Sequence, residues 1–227
     1  MQFDPRRAAL GHAVYTPLTL RLYDAFVLGF SNRFIWRCKS RELLALYQRN
    51  VSACHLDVGV GTGYFLDRTQ FPTTSPAITL LDANPTCLET ASCRIARHAP
   101  RVVEANVLEP LPSIGPFSSV GMCFLLHCMP GSIPAKAIAF DHVRAVMAPE
   151  ARIFGATIVQ GSVPRSRAAQ WVMDFYNAKG FFSNTYDTVE DLEAELASRF
   201  CEVKVSVQGS VALFEACRAA SVALSSP

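Results

Sequence analysis

The chain lacks an excess of either charge: 21 Lys and Arg stand against 19 Asp and Glu in 227 residues. Without a basic stripe there is no electrostatic footprint for nucleic acid or an anionic membrane surface, and neither is expected as a partner. A long unbroken apolar run is also missing. The greasiest early stretch, Leu18 to Trp36, is interrupted by Arg21, Asp24 and Arg33, which excludes a bilayer span there. The opening Met1-Gln2-Phe3-Asp4-Pro5-Arg6-Arg7 has no apolar core of a secretory signal, so Asn50-Val51-Ser52 is a glycosylation sequon without an export route. The 8 cysteines form no C-x-x-C pair and no Cys/His spacing of a zinc site, so no metal is expected. Cys54, Cys123, Cys201 and Cys217 lie in apolar runs and read as buried, reduced thiols of a cytoplasmic protein.

What is present is apolar mass. Half of the residues are hydrophobic, enough for one sizeable core, and chains of roughly 200–250 residues often form one α/β domain. Leu18, Leu22 and Phe26, then Leu43, Leu44 and Tyr47, recur at helical spacing and predict a helical cap or lid over residues 1–50. From residue 51 to residue 227 short apolar runs alternate with amphipathic segments. The expected strands are Cys54–Val58, Ala77–Asp82, Arg101–Glu104, Val120–Leu126, Arg152–Ile158, Glu202–Gln208 and Val211–Ala216. The expected helices are Gly63–Thr69, Pro85–Arg97, Pro134–Met147, Arg165–Ala178 and Val189–Phe200, the last capped by Asp187 or Thr188. Such alternation predicts a mostly parallel sheet covered on both faces. Gly209-Ser210 between the last two strands reads as a hairpin, which adds an antiparallel terminal strand.

The strongest local signal is Asp57-Val58-Gly59-Val60-Gly61-Thr62-Gly63-Tyr64, a buried strand running through glycines into a helix. Glycines permit the tight turn and let a ligand lie against the backbone. A dinucleotide fingerprint needs its third small residue at position 64, where Tyr64 stands, and no Walker lysine follows the turn. Asp57 ends the strand at the mouth of the turn, where it would repel a pyrophosphate and attract an ammonium group. That favours S-adenosylmethionine over a nicotinamide. Asp82 ends the next apolar strand about 25 residues later, near the spacing at which an acid takes both ribose hydroxyls. Its alternative reading is a helix cap.

These residues resemble the class I, Rossmann-like S-adenosylmethionine-dependent methyltransferase superfamily over residues 51–216. Asp57 to Gly63 looks like the first motif of that family, and Asp82 like its ribose acid. Ala105-Asn106-Val107-Leu108-Glu109-Pro110 looks like the segment that meets adenine, with Asn106 where the family usually has Asp. An amide oxygen can still accept from the adenine amino group. Phe124-Leu125-Leu126-His127-Cys128-Met129-Pro130-Gly131, Ile153-Phe154-Gly155-Ala156-Thr157-Ile158 and Tyr23-Asp24-Ala25-Phe26 resemble small methyltransferases of natural-product pathways. The resemblance implies a seven-stranded sheet, S-adenosylmethionine as cofactor with S-adenosylhomocysteine as product, and a small-molecule acceptor. It implies a cofactor site of Asp57, Gly59, Gly61, Gly63, Asp82, Ala83, Asn106, Val107, Leu126 and Tyr23.

On the acceptor side, His127 follows the fourth strand and so lies at the ligand edge of an open α/β sheet. An imidazole titrating near neutrality would serve there as base or orienter, and the plainer alternative is a loop histidine packed on Cys128. Tyr15, Tyr23, Asn32 and Trp36 of the cap, and Asn177, Phe181 and Asn184 of the aromatic and amide-rich segment 175–184, are expected around the acceptor. A monomer or homodimer is expected. Two further readings use the same motifs: a metabolite cyclisation or rearrangement, and a non-enzymatic binding protein.

Overall fold

Short apolar runs, buried along most of their length in the central strands, make the sheet, and amphipathic segments between them make the covering helices. The computed structural model describes residues 31–161 and 163–220. Its strands are β1 (Cys54–Val58), β2 (Ala77–Asp82), β3 (Arg101–Glu104), β4 (Phe117–Cys123), β5 (Met147–Ile158), β6 (Cys201–Gln208) and β7 (Val211–Cys217). They form one seven-stranded sheet in the order β3-β2-β1-β4-β5-β7-β6. Strands β1 to β5 pair in parallel, and β7 runs antiparallel between β5 and β6. The α-helices are α1 (Ser40–Asn50), α2 (Tyr64–Arg68), α3 (Pro85–Arg94), α4 (Ile133–Lys136), α5 (Ile138–Ala145), α6 (Arg167–Ala178) and α7 (Val189–Ala197). The expected seven-stranded, mostly parallel sheet with an antiparallel terminal strand is thus present, while Leu18, Leu22 and Phe26 of the expected cap lie outside the described residues.

The sheet has a core on each face. Along β7, Val211 and Leu213 join one cluster with α1, α2, α3 and α6, while Ala212 and Phe214 join the other with α5 and α7. Helix α1, within the expected cap, buries Leu43 and Leu46 completely. Its Arg49 and Asn50 reach Glu215 of β7.

Three sequence expectations need correction. Strand β4 stops at Cys123 rather than Leu126, because Phe124 adopts φ +59° and Leu126–Cys128 closes a 3-10 turn. The helix expected over 134–147 is divided at Ala137, and Met147 already belongs to β5. Of the four cysteines expected inside, Cys123 is buried, Cys54 and Cys217 are half-buried, and Cys201 is exposed on the edge strand β6. At the last helix, Thr188 supplies the cap by accepting from the Asp191 N–H at 3.0 Å.

Strand order reverses at β1, which lies between β2 and β4; the crevice beyond the carboxyl ends of these strands is where such sheets bind ligands. Gly63 begins α2 with φ +70°, and a Cβ there would lie 3.1 Å from the Ala91 Cα of α3. Gly61 has φ +52°, with nothing within 4 Å of its Cβ position. Gly63→Ala should therefore destabilise the protein by about 1 kcal/mol more than Gly61→Ala, since both carry left-handed strain and only one adds a contact. Urea unfolding checks this, and equal losses would contradict the packing role of Gly63.

Candidate functional site

At the carboxyl ends of β1, β2 and β4 lies a cavity of about 350 Å³, within the size range of small-molecule sites. Gly59, Gly61 and Gly63 form its floor, all with positive φ. Asp57 enters from β1 and is 3% exposed. The Tyr47 hydroxyl of α1 lies 3.0 Å from Asp57 Oδ1 and 3.3 Å from Oδ2, donating to the carboxylate. Room for the carboxylate comes from Gly121, its register partner on β4, where a Cβ would stand 2.8 Å from Oδ1. Burial pushes the Asp57 carboxyl up to about 7; the Tyr47 hydrogen bond opposes this and the charge of Asp82 adds to it. Among the described residues, no Lys or Arg lines the cavity.

Asp82 stands half-buried at the end of β2 and lines the same cavity, its Oδ1 accepting from the Asn84 N–H at 2.9 Å. The cap of α3 is Asn84, whose side chain accepts from the Thr86 N–H, so the alternative reading of Asp82 as cap is excluded. Ala83, Asn106 and Val107 also line the cavity. The Asn106 side-chain oxygen accepts from the Leu108 N–H at 3.1 Å and holds its turn. Leu126 is a correction: with β4 ending early, it turns into the core at 0% exposure, and Phe124 and Leu125 take the cavity wall.

His127 also lines the cavity, yet it is only 3% exposed. Phe182 meets its ring edge-on at 4.5 Å between centroids. Its Nδ1 lies 3.4 Å from both the Thr157 hydroxyl and the Ile158 N–H. Burial, with the charge of Lys136, pushes the imidazole down to about 3, so the expected titration near neutrality is corrected to a ring neutral at physiological pH. The Ile158 amide can only donate, so Nδ1 accepts and the neutral ring carries its proton on Nε2.

The remaining expected acceptor residues divide. Asn32, Trp36 and Phe181 line the cavity, with Trp36 tilted against Phe182 at 6.0 Å. Asn177 and Asn184 do not line it. Their amides hold each other at 2.8 Å, Asn177 also donates to the Met173 carbonyl, and fully buried Asn184 donates to the Ile158 carbonyl. Tyr15 and Tyr23 lie outside the described residues. Sequence reasoning missed Tyr47, taken only for part of an apolar helix face, together with Gly121 and Phe124, while Phe182, of the segment 175–184 expected at the acceptor side, lines the cavity beside Phe181.

No protein-family model matches the chain. It is 40% identical over 207 residues to demethylluteothin O-methyltransferase of Streptomyces thioluteus, covering 91% of this chain and 90% of that one. It is 38% identical over 209 residues to the physcion biosynthesis cluster O-methyltransferase of Aspergillus chevalieri, covering 91% and 94%. The S-adenosylhomocysteine complex of DhpI shares the fold at TM-score 0.66 and 14% identity, over 96% of this chain and 97% of that one. With such identity spread over most of both sequences, the chain belongs to the S-adenosylmethionine-dependent methyltransferases. Within them it stands with the methyltransferases of natural-product biosynthesis, and the rearrangement reading is not favoured.

Proposed function

We propose that the cavity holds S-adenosylmethionine with its amino-acid end on Asp57 and the glycine turn and its ribose on Asp82, and that a natural-product hydroxyl enters beside His127, Trp36 and Phe181. The observation that carries this reading is the buried Asp57 carboxylate, held by a neutral phenol in a cavity whose described lining has no cation. A cationic ligand supplies the missing charge. The open space over Gly61 admits it against the backbone. Oxygen as the methylated atom is taken from the two O-methyltransferase relatives.

The sulfonium of the bound cofactor would supply an electrophilic methyl group, and the acceptor reacts as its oxyanion, the hydroxyl proton having passed to bulk water, so the chain need only hold the nucleophile in line and keep water from competing. His127 does the holding. Its Nε2–H donates to the acceptor oxygen, while the Ile158 amide and Thr157 hydroxyl fix the ring from the other side. A neutral ring with a depressed pKa is a poor base and a good orienter. Trp36, Phe124 and Phe182 exclude water around it. Calorimetry should detect both S-adenosylmethionine and S-adenosylhomocysteine, and Asp82→Ala should weaken both by about 1–3 kcal/mol through unpaired ribose hydroxyls. Tight NAD binding in their place would overturn the reading.

A further inference from the structure

The mechanism leaves one buried charged cluster unused. Lys136, at the end of α4, and Asp187, just before α7, both have side chains with 0% exposure. Lys136 Nζ donates to Asp187 Oδ2 at 2.5 Å and to the Ser183 carbonyl at 2.7 Å. Asp187 sits beside the cap position of α7 and leaves that task to Thr188. Its Oδ1 is buried without a hydrogen-bond partner. Burying such a pair seldom adds stability over an apolar pair of the same size, and its documented benefit is a defined arrangement.

The arrangement defined here is the acceptor wall. Ser183 is tied three times to the segment that carries His127. Its N–H donates to the His127 carbonyl at 2.8 Å, its hydroxyl accepts from the Gly131 N–H at 3.2 Å, and its carbonyl takes Lys136. The preceding residue, Phe182, is the ring that meets His127 at 4.5 Å and Tyr176 at 4.9 Å. We propose that Lys136 and Asp187 are positioning residues: their buried ion pair, hooked to the Ser183 carbonyl, holds Phe182 edge-on against His127 and so sets the acceptor side of the cavity. The inference rests on the reading of His127 as the group that faces the acceptor. A cluster this dry fixes ring positions tightly, and transfer to an acceptor is sensitive to displacements of an ångström.

The test uses the full chain with labelled histidines, without ligand, in native form, as Lys136→Met/Asp187→Leu, as Phe182→Leu and as the triple variant. The double substitution removes both charges together, so no buried ion is left unpaired to unfold the protein. The double variant should shift the His127 ring signals, leave those of core His55 in place, and exchange the Ser183 amide at least about tenfold faster. Phe182→Leu should shift the same His127 signals, and the triple variant should move them no further than the larger of the two shifts. S-adenosylhomocysteine affinity of the double variant should stay within about twofold of native, since neither Lys136 nor Asp187 lines the cavity. Unchanged His127 signals and Ser183 exchange in the double variant would overturn the proposal. So would additive shifts in the triple variant, or His55 moving and cofactor affinity falling together, which marks general loosening. Failure of the native protein to bind S-adenosylhomocysteine would overturn the cofactor reading instead, and the ligand-free spectra would still decide the role of the ion pair.

Discussion

Asp57→Asn should weaken S-adenosylmethionine binding on the order of 10²-fold and, in the same protein, make the cofactor-free state more stable. The first effect follows from removing the charged partner of an ammonium group, since hydrogen bonds to charged groups are worth about 1.5–3 kcal/mol and here the carboxylate is buried. The second follows from burial, which lifts the folded Asp57 carboxyl to about 7 from its ordinary 3.8. Between those values the folded state binds more protons than the unfolded one, so stability falls as pH rises through that window. At neutral pH this opposes folding by at most about 4 kcal/mol, and the amide removes the ionisation while keeping an acceptor for Tyr47. The same sign governs the ligand. In the native protein, cofactor affinity should drop up to about tenfold for each pH unit below 7, as protons compete for Asp57, and the variant should show a flat profile. Thermal scans of the cofactor-free protein at pH 7.5 and calorimetry from pH 5.5 to 8 measure both. A variant that melts lower and binds as tightly as native would refute the role of Asp57.

His127→Ala should lower turnover on the order of 10²-fold with cofactor affinity nearly unchanged, and His127→Gln should retain most of the activity. The reason is the ring's protonation. Held down to about 3, it does not titrate between pH 5 and 9, so it contributes through Nε2–H and shape, and a glutamine amide offers a comparable donor. The acid limb of the pH–rate profile should accordingly follow Asp57 and persist in His127→Gln. Rates can be read with any acceptor found by methyl transfer from labelled cofactor into cell extracts. Loss of that limb in the glutamine variant, with activity as low as in His127→Ala, would make His127 a base and contradict the orienting role.

How far the sequence disclosed this site depends on the range of the interactions involved. Strands β1, β2 and β3 coincide with their expected bounds because each run is closed by a residue that marks its end, Gly59 just after β1, Asp82 at the end of β2 and Glu104 at the end of β3. β4 was misjudged because Phe124, Leu125 and Leu126 continue its apolar run, and the φ of +59° that turns the chain at Phe124 leaves no mark in composition. That turn moves Leu126 into the core and His127 under Phe182, a residue far along the chain, so the location of the histidine was legible and its ionisation was not. Asn177 and Asn184 have the composition of a pocket wall, but they satisfy one another across a turn that only the folded chain brings together. Tyr47 is hidden in the opposite way. Its aromatic body fits the helical spacing of a core face, where it stacks on Phe65, and its hydroxyl still reaches Asp57.

The missing side chain at Gly121 has a consequence for how this protein can change over generations. Asp57 and Gly121 face each other across β1 and β4, and the space for the carboxylate exists only because position 121 contributes no Cβ, which would stand 2.8 Å from Oδ1. A carboxylate at 57 therefore constrains its distant neighbour as strictly as itself. A Cβ at 121 would have to move the acid, so a side chain should be tolerated there only once the carboxylate at 57 has been lost, which fixes the order in which the two positions can change.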